Sequence, residues 1–437
     1  MQLHIGIDDT DSTSGGCTTY LAARIVEQLT RFRVRFLDYP NIIRLNPNIP
    51  YKTRGNAAVA LRFEAAEAQY ASIRELVLNE IERVGRIGEE GTEPATVLLS
   101  GKPARSTRML AERSLCEVVA VRDALHDIIQ SGAEAVSYGN NRGLVGALAA
   151  IGNTIDRDHT YELIAYRQRE YCGTPRKVDK GSVIRMDSLT TPFTYNNYDA
   201  KNKRVLVTPH GPDPVLVGIR GETPDSVRRG FDLLTIREPV ERWVIFRTNH
   251  ATDAHLSAAR PGIVRPYSAV VLSGAVAEKP RRLEGGHVIF SVRAERGRFT
   301  CAAFEPTGRF RDIVSELIPG DEVTVFGGTP GTHGLTVNLE KLSVNRLTDY
   351  VTLHNPSCPN CGKNLKSAGF LKGFKCDRCS TVVPDAWKIH RSVVRNIKPG
   401  IYLPSAKAQR HLTKPTSRYK REKIWDGKPP SGAWHRP

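Results

Sequence analysis

Leu3-His4-Ile5-Gly6-Ile7 runs straight into Asp8-Asp9-Thr10-Asp11, and Gly15-Gly16-Cys17-Thr18-Thr19-Tyr20 then leads into an apolar-periodic run from Leu21 to Leu29. The first segment alternates as a strand does, with Leu3, Ile5 and Ile7 on one face, and the last carries helical spacing. Strand, loop and helix in that order begin an α/β unit. If extended backbone continued past Ile7, Asp9 and Asp11 would share the face of Leu3, Ile5 and Ile7, with Asp8 on the other. Three carboxylates in four residues repel one another, so at the C-terminal end of a strand they favour a bound cation. The glycine pair and the helix start offer backbone N–H groups to an anion. Magnesium and phosphate together mean a nucleotide. Thr18 and Thr19 fall where a hydroxyl can cap the helix, touch a metal or accept a phosphoryl group. An acidic turn closed by a Thr cap is the plainer alternative, and no Gly-Lys-Ser/Thr follows to make a P-loop.

Four of the eight cysteines form the most specific pattern in the chain. Cys358-Pro359-Asn360-Cys361 and Cys376-Asp377-Arg378-Cys379 are two knuckles at zinc-ribbon spacing, each bringing two thiolates to one tight turn. A structural Zn2+ held by Cys358, Cys361, Cys376 and Cys379 is expected, standing in for a core too small to fold alone; a disulfide pair is the alternative, which a cytoplasmic chain disfavours. Cys17, Cys116, Cys172 and Cys301 are scattered and read as ordinary thiols.

At 437 residues the chain is long enough for about three domains. It has no apolar run of membrane-spanning length and no signal-peptide pattern, so a cytoplasmic location without membrane association is expected. The net charge of +17 is uneven: between Trp387 and Pro437 thirteen Lys and Arg face only Glu422 and Asp426. Trp387, Tyr402, Tyr419, Trp425 and Trp434 are interleaved with those cations, a composition suited to gripping nucleic acid, with a solubilising tail as the alternative.

Along the chain, residues 1–157 alternate strand and helix patterns, including Arg35 to Leu45, Ala57 to Phe63, Glu67 to Val84, Leu115 to Ile129 and the small-residue helix Leu144 to Ile151. Within it the stretch from Arg44 to Asn56 is too rich in Pro, Asn and cations for a buried element; Arg44, Lys52 and Arg54 suit a loop that clamps phosphates or a base edge, or else a surface turn. Residues 158–240 suit a small α+β, ferredoxin-like module. Residues 241–350 carry short strands with Gly and Pro turns, beginning with Trp243 to Arg247, and suit an OB-fold β-barrel. The ribbon occupies 351–385 and the basic, RNA-binding tail 386–437. The expected fold class is thus multidomain α/β and α+β.

Gly6-Ile7-Asp8-Asp9-Thr10-Asp11-Ser12, Cys17-Thr18-Thr19-Tyr20-Leu21, Arg44-Leu45-Asn46-Pro47 and Ile49 to Asn56, together with Gly143 to Gly152, Thr248-Asn249, Thr252 to Leu256 and the paired knuckles, resemble the archaeal isoleucine-tRNA agmatinylcytidine synthetases, the TiaS family. The likeness spans nearly the whole chain and departs at His250-Ala251, where the family pattern has Gln-Gly. The resemblance implies an ATP-dependent C–N ligase that replaces the 2-oxo group of the wobble cytidine with agmatine. The substrate is an isoleucine tRNA with a CAU anticodon, which then reads AUA. Phosphorylation turns cytosine O2 into a leaving group, the agmatine amine displaces it, and AMP and pyrophosphate are released. By the same resemblance Asp8, Asp9 and Asp11 hold Mg2+ around the triphosphate, and the loop of Gly15, Gly16, Cys17 and Thr19 cradles it. Thr18 is the autophosphorylated threonine, and Arg44, Lys52 and Arg54 offset transition-state charge. The first domain is then the Thr/cytidine kinase-like catalytic domain, with agmatine bound near its junction with the second; no obligate protein partner is implied.

Agmatine carries a guanidinium, so its pocket calls for a carboxylate and an aromatic face. Asp187, Asp199, Asp213 and Glu222 are candidates, each by general rule a solvated surface acid. His250, Asp253 and His255 suggest a metal site, but their spacing on a loop fits hydrogen bonding to RNA equally well, and satisfied structural histidines are the plainer reading. The alternative of another class is a non-catalytic RNA-binding barrel and ribbon with a nucleotide-sensing N-terminal domain. Passive binding, however, does not require the carboxylate and threonine cluster.

Overall fold

The computed structural model describes residues 1–53, 55–331 and 336–437. Its centre is a ten-stranded sheet whose main path runs Val215–Gly221, Thr160–Arg167, Val240–Thr248, Asn41–Arg44, Ala57–Glu64, Gln2–Asp8, Ala95–Ser100, Glu134–Ser137. Strand and helix alternate in the sequence, yet the neighbours on this path pair antiparallel, with one parallel join between Val240–Thr248 and Asn41–Arg44. That join makes the first two expected domains share one sheet.

The opening strand serves both faces. Leu3, Ile5 and Ile7 pack under helices Thr18–Arg31 and Tyr70–Val84, where Leu21, Ile25, Leu29, Ile73, Val77 and Ile81 recur at helical spacing. His4, Gly6 and Asp8 therefore face the other side, which is covered by helix Arg142–Gly152 and flanked by Arg105–Cys116 and Val121–Ser131. The small-residue composition of Arg142–Gly152 allows a very close approach: a Cβ on Gly6 would collide with the Ala147 carbonyl oxygen, and one on Gly143 with that of Glu93. Arg62, buried beside His4, donates to the carbonyls of Ala150, Ile151 and Asn153 and so caps that helix's C-terminus with a cation.

Several pattern-based boundaries differ. The Leu115 to Ile129 segment is the end of one helix and most of the next, because Glu117–Ala120 is extended. The Arg35 to Leu45 strand is broken into Arg35–Phe36 and Asn41–Arg44 around Asp38-Tyr39-Pro40, and helix Lys180–Thr190 is additional. Trp243 to Arg247, assigned by its pattern to the barrel, lies in strand Val240–Thr248 of the large sheet.

The barrel circuit runs Ala269–Val276, Glu322–Gly328, Val337–Arg346, Gly297–Ala303, Val288–Ala294 and back to Ala269–Val276. Val270, Leu272, Val288, Phe290, Val323, Val325, Leu342 and Val344 fill it. Three two-residue strands, Lys366–Ser367, Phe374–Lys375 and Val382–Val383, build the ribbon around its own small core.

The C-terminal segment is a strap and not a free tail. Ala251 and Asp253 donate backbone N–H groups to the carbonyls of His411 and Leu412, and His435–Arg436 pairs with Trp243 and Val244. Arg418 is fully buried and donates to Asp158, Glu222 and the Ala251 carbonyl. The expected stacking aromatics are largely absorbed by this packing. Trp434 lies against Phe36 and Tyr39, Trp425 under Arg247, and Tyr419 near Lys341, whereas Trp387 is 82% exposed. Among the described residues no helix is long and apolar enough to cross a membrane.

Candidate functional site

The opening strand ends at Asp8, and Asp9 takes a left-handed conformation at φ 57°. Asp tolerates that region because its short polar side chain bonds locally, and the turn breaks the strand alternation. Asp8, Asp9 and Asp11 consequently line one cleft of about 490 Å³, instead of dividing between the two sheet faces. Lys52, Asn46, Tyr51, Thr53, Asn56, Asn140 and Arg142 share its walls.

Gly146 lets the third wall come near, since a Cβ there would overlap Asp8 Oδ2. Arg142, from the first turn of the same helix, is 3.8 Å from Asp9, and the Glu93 N–H donates to Asp9 at 3.2 Å. These partners do not relieve the crowding. Burial first, then Asp9 and Asp11, push the Asp8 carboxyl well above the ordinary carboxylate range. Burial also lifts Asp9 to about 6 against the pull of Arg142. Carboxylates so placed have their charge restored by a cation between them, as a divalent-ion site requires.

The glycine loop sits behind this cluster. Gly16 has φ 78°, and side chains on Gly15 or Gly16 would run into Arg86, whose backbone N–H also donates to the Thr10 carbonyl. The pair therefore provides both the turn and room for a guanidinium over the loop. Thr18 is the first residue of its helix and is buried; its Oγ1 accepts from the Thr10 hydroxyl at 3.0 Å. The Cys17 thiol contacts the Thr19 hydroxyl at 3.0 Å, and burial raises its pKa. Thr53 and Thr92 donate to the Asp11 carbonyl, tying the loop to both sides of the cleft.

The cationic loop divides. The Lys52 ammonium donates to the Pro47 and Ile49 carbonyls at the cleft's edge. Arg44 turns away into an ion pair with Glu162 at 3.5 Å and lines a neighbouring cleft. Arg54 lies outside the described residues. Sequence reasoning missed Arg142, Glu93 and Arg86, although the run of small residues after Arg142 signalled a close helix approach.

The four candidate agmatine acids all have protein partners. Glu222 holds Arg418 and Lys423, Asp213 lies 3.5 Å from Arg176, Asp199 accepts from Asn202, and Asp187 accepts from Asn197. Three of them are buried. Arg418 and Arg176 reach Glu222 and Asp213 from distant segments, whereas Asp199 and Asp187 are met by Asn202 and Asn197, close by in the sequence. His255 pairs with Glu340 and Asp253 with Lys341, so this loop is a structural junction.

In the ribbon, Cys358 and Cys379 lie 3.5 Å apart, Cys361 and Cys376 3.5 Å, and Cys361 and Cys379 3.6 Å between sulfurs. A tetrahedron with metal–sulfur bonds of about 2.3 Å has edges of nearly that length, whereas a disulfide needs about 2.05 Å. Cys358, Cys361, Cys376 and Cys379 thus fit one Zn2+.

Comparison with known proteins agrees with this arrangement. Residues 4–140 match the TiaS TCKD domain, 141–255 the TiaS FLD domain and 355–397 the TiaS C-terminal zinc ribbon domain. The isoleucine-tRNA 2-agmatinylcytidine synthetase TiaS of Pyrococcus horikoshii is 42% identical over 416 residues, covering 95% of this chain and 97% of its own. That of Methanosarcina mazei is 42% identical over 428 residues, with 95% and 97% covered. A crystal structure of TiaS in complex with its isoleucine tRNA and ATP superposes with a TM-score of 0.88 at 37% identity, covering 98% of this chain and 99% of that one. A complex of TiaS with the same tRNA, AMPCPP and agmatine gives 0.84 at 35% identity over the same shares. With family models over most of its length and relatives near 40% identity end to end, the chain belongs to the TiaS family of isoleucine-tRNA 2-agmatinylcytidine synthetases.

Proposed function

We propose that this protein uses ATP to join agmatine to C2 of the wobble cytidine of the isoleucine tRNA with a CAU anticodon, forming 2-agmatinylcytidine. The observation that carries the reading is the trio Asp8, Asp9 and Asp11 on one cleft, with the Asp8 and Asp9 carboxyl groups pushed up first by burial and, at Asp8, next by its acidic neighbours. A passive RNA-binding protein has no use for that cost. The family relationship and the TiaS complexes with isoleucine tRNA, ATP and agmatine support the same reading.

Cytosine O2 leaves poorly as an oxide and well as a phosphate, so the energetic task is to activate that oxygen before the amine attacks C2. In this reading Asp8, Asp9 and Asp11 hold Mg2+, which neutralises phosphate charge when bound. Gly15, Gly16, Cys17 and Thr19 are not among the residues that line the cleft of about 490 Å³; in this reading their loop, with Arg86 across it, meets the phosphates from behind the carboxylates, while Arg142 and Lys52 border the developing charge. Thr18 is the phosphate-accepting hydroxyl, held buried against the Thr10 hydroxyl in this structure. Residues 1–157 act as the Thr/cytidine kinase-like part and 158–240 as the ferredoxin-like part, with agmatine near their shared sheet. The barrel is of the OB type and holds RNA together with the ribbon.

Wild type and Asp9→Ala incubated with ATP, magnesium, agmatine and the tRNA decide the matter by nucleoside mass spectrometry. Wild type is expected to yield 2-agmatinylcytidine and, with γ-labelled ATP, label on Thr18; Asp9→Ala is expected to lose both. An unmodified tRNA with wild type would overturn the reading.

A further inference from the structure

Beside the carboxylate cleft lies a second one of opposite sign. It is about 330 Å³ and is bounded by the loop around Arg44 to Asn56 on one side and by Gln409 to Leu412 of the C-terminal strap on the other. Lys52, Leu45, Gly55 and Asn56 border both clefts, so the two are separated by one loop's thickness. We infer that this second cleft, with Arg44 at its base and Lys52 and Arg410 at its rim, binds a backbone phosphate of the RNA substrate next to the nucleotide whose base enters the carboxylate cleft. The inference rests on the proposed RNA substrate and adds a subsite to it.

Cationic side chains crowd this cleft with no acid among its described lining residues, which include Arg44, Lys52, Arg410 and His411. Two acids stand behind the wall and both are shared. Glu162 takes Arg44 at 3.5 Å and Arg220 at 3.0 Å and lies 3.7 Å from His250. Glu340 takes His255 and, at 3.1 Å, Arg410. One carboxylate serving two guanidiniums leaves net positive charge in a partly desolvated place, where an anion gains most. The neighbours register it: burial and then Arg220 hold His250 down to about 4, and Arg44 above all holds His411 well below its usual range. Burial and then Arg410 lower Lys52. Gly55 is squeezed into the same corner, since a Cβ there would lie 3.2 Å from the His411 ring and 3.3 Å from Arg44 Nη1.

An RNA phosphate and the triphosphate of ATP share this chemistry. The RNA is favoured because the cleft lies across the loop from the carboxylates that a metal-bound triphosphate must touch, while a polynucleotide extends past its reacting base on both sides.

The test measures binding of the tRNA to the full-length protein against salt, and of a non-hydrolysable ATP analogue separately, for wild type, Arg410→Gln, Arg410→Lys and Gln409→Glu. Gln409→Glu places an acid in the cleft while leaving the bonds of Arg410 to Asn48 and Glu340 intact, which guards against simple misfolding of Arg410→Gln. Arg410→Gln and Gln409→Glu are expected to weaken tRNA binding about tenfold and to flatten the log–log salt slope by about 1, Arg410→Lys to keep the slope, and all to bind the analogue within about twofold of wild type. An unchanged slope in both charge variants overturns the subsite. A loss of analogue binding with an unchanged tRNA slope overturns it in favour of the triphosphate. Wild type that modifies tRNA while these variants keep its slope refutes the subsite alone; wild type that modifies nothing refutes the function.

Discussion

Asp9 carries two costs at once, a left-handed backbone and a carboxyl lifted to about 6 by burial. Its ordinary value is 3.8, so between roughly pH 4 and 6 the unfolded chain has lost a proton that the native protein keeps. Fewer protons on the unfolded state means stability falls as pH rises through that window and stays reduced above it. Asp9→Asn removes the charge and keeps the shape, so the metal-free variant should be more stable than wild type above pH 6, by on the order of 1 kcal/mol, and equal to it near pH 4. Thermal melts across pH without divalent ions check this, and added Mg2+ should raise the wild-type Tm more than that of the variant. Local chemistry of this kind was legible in the sequence, since three acids in four residues and two Cys-x-x-Cys knuckles state their needs by spacing alone. Arg142, Glu93 and Arg86 were not, because their roles depend on which distant segments the sheet brings to Asp9 and Gly15.

Helix Arg142–Gly152 works as an element through what it lacks. Gly6 and Gly143 let it lie almost on the backbone of the sheet, and Gly146 leaves the space that Asp8 occupies. Gly146→Ala should therefore displace Asp8 without changing any charged group. The expected result is a fall in kcat of at least about tenfold, with a stability loss of about 1–3 kcal/mol from overpacking. Activity measured well below the variant's melting temperature separates the two effects, and full kcat there would show that Asp8 need not hold its place. The existence of this helix, and of most strands, follows from periodicity. Their partners do not: Trp243 to Arg247 alternates as any barrel strand would, and only its pairing with Thr160–Arg167 and Asn41–Arg44 assigns it to the large sheet. The one parallel join of that sheet is likewise a long-range choice that no local pattern records.

Over the whole molecule the C-terminal segment is the closing piece, and composition concealed it. Thirteen cations and five aromatics read as an RNA grip, yet Arg418 reaches Asp158 and Glu222 in the interior and Trp434 fills a gap beside Phe36 and Tyr39. Burial of such partners is decided by segments 196 residues away in sequence or farther, which is why a charge run could not disclose it. The consequence separates an anchor from a grip. Removing residues 430–437 takes away Trp434 and the two-residue strand His435–Arg436 but only one cation, Arg436. Loss of a packed Trp costs about 3 kcal/mol, so the truncated protein should melt several degrees lower. Its salt slope for tRNA, measured below that melt, should change by no more than the about 1 that one phosphate contact can supply. A truncated protein with an unaltered Tm and a much flatter slope would mean that the strap acts on RNA and not on the core, because a segment that closes the sheet cannot be removed without the sheet registering its loss.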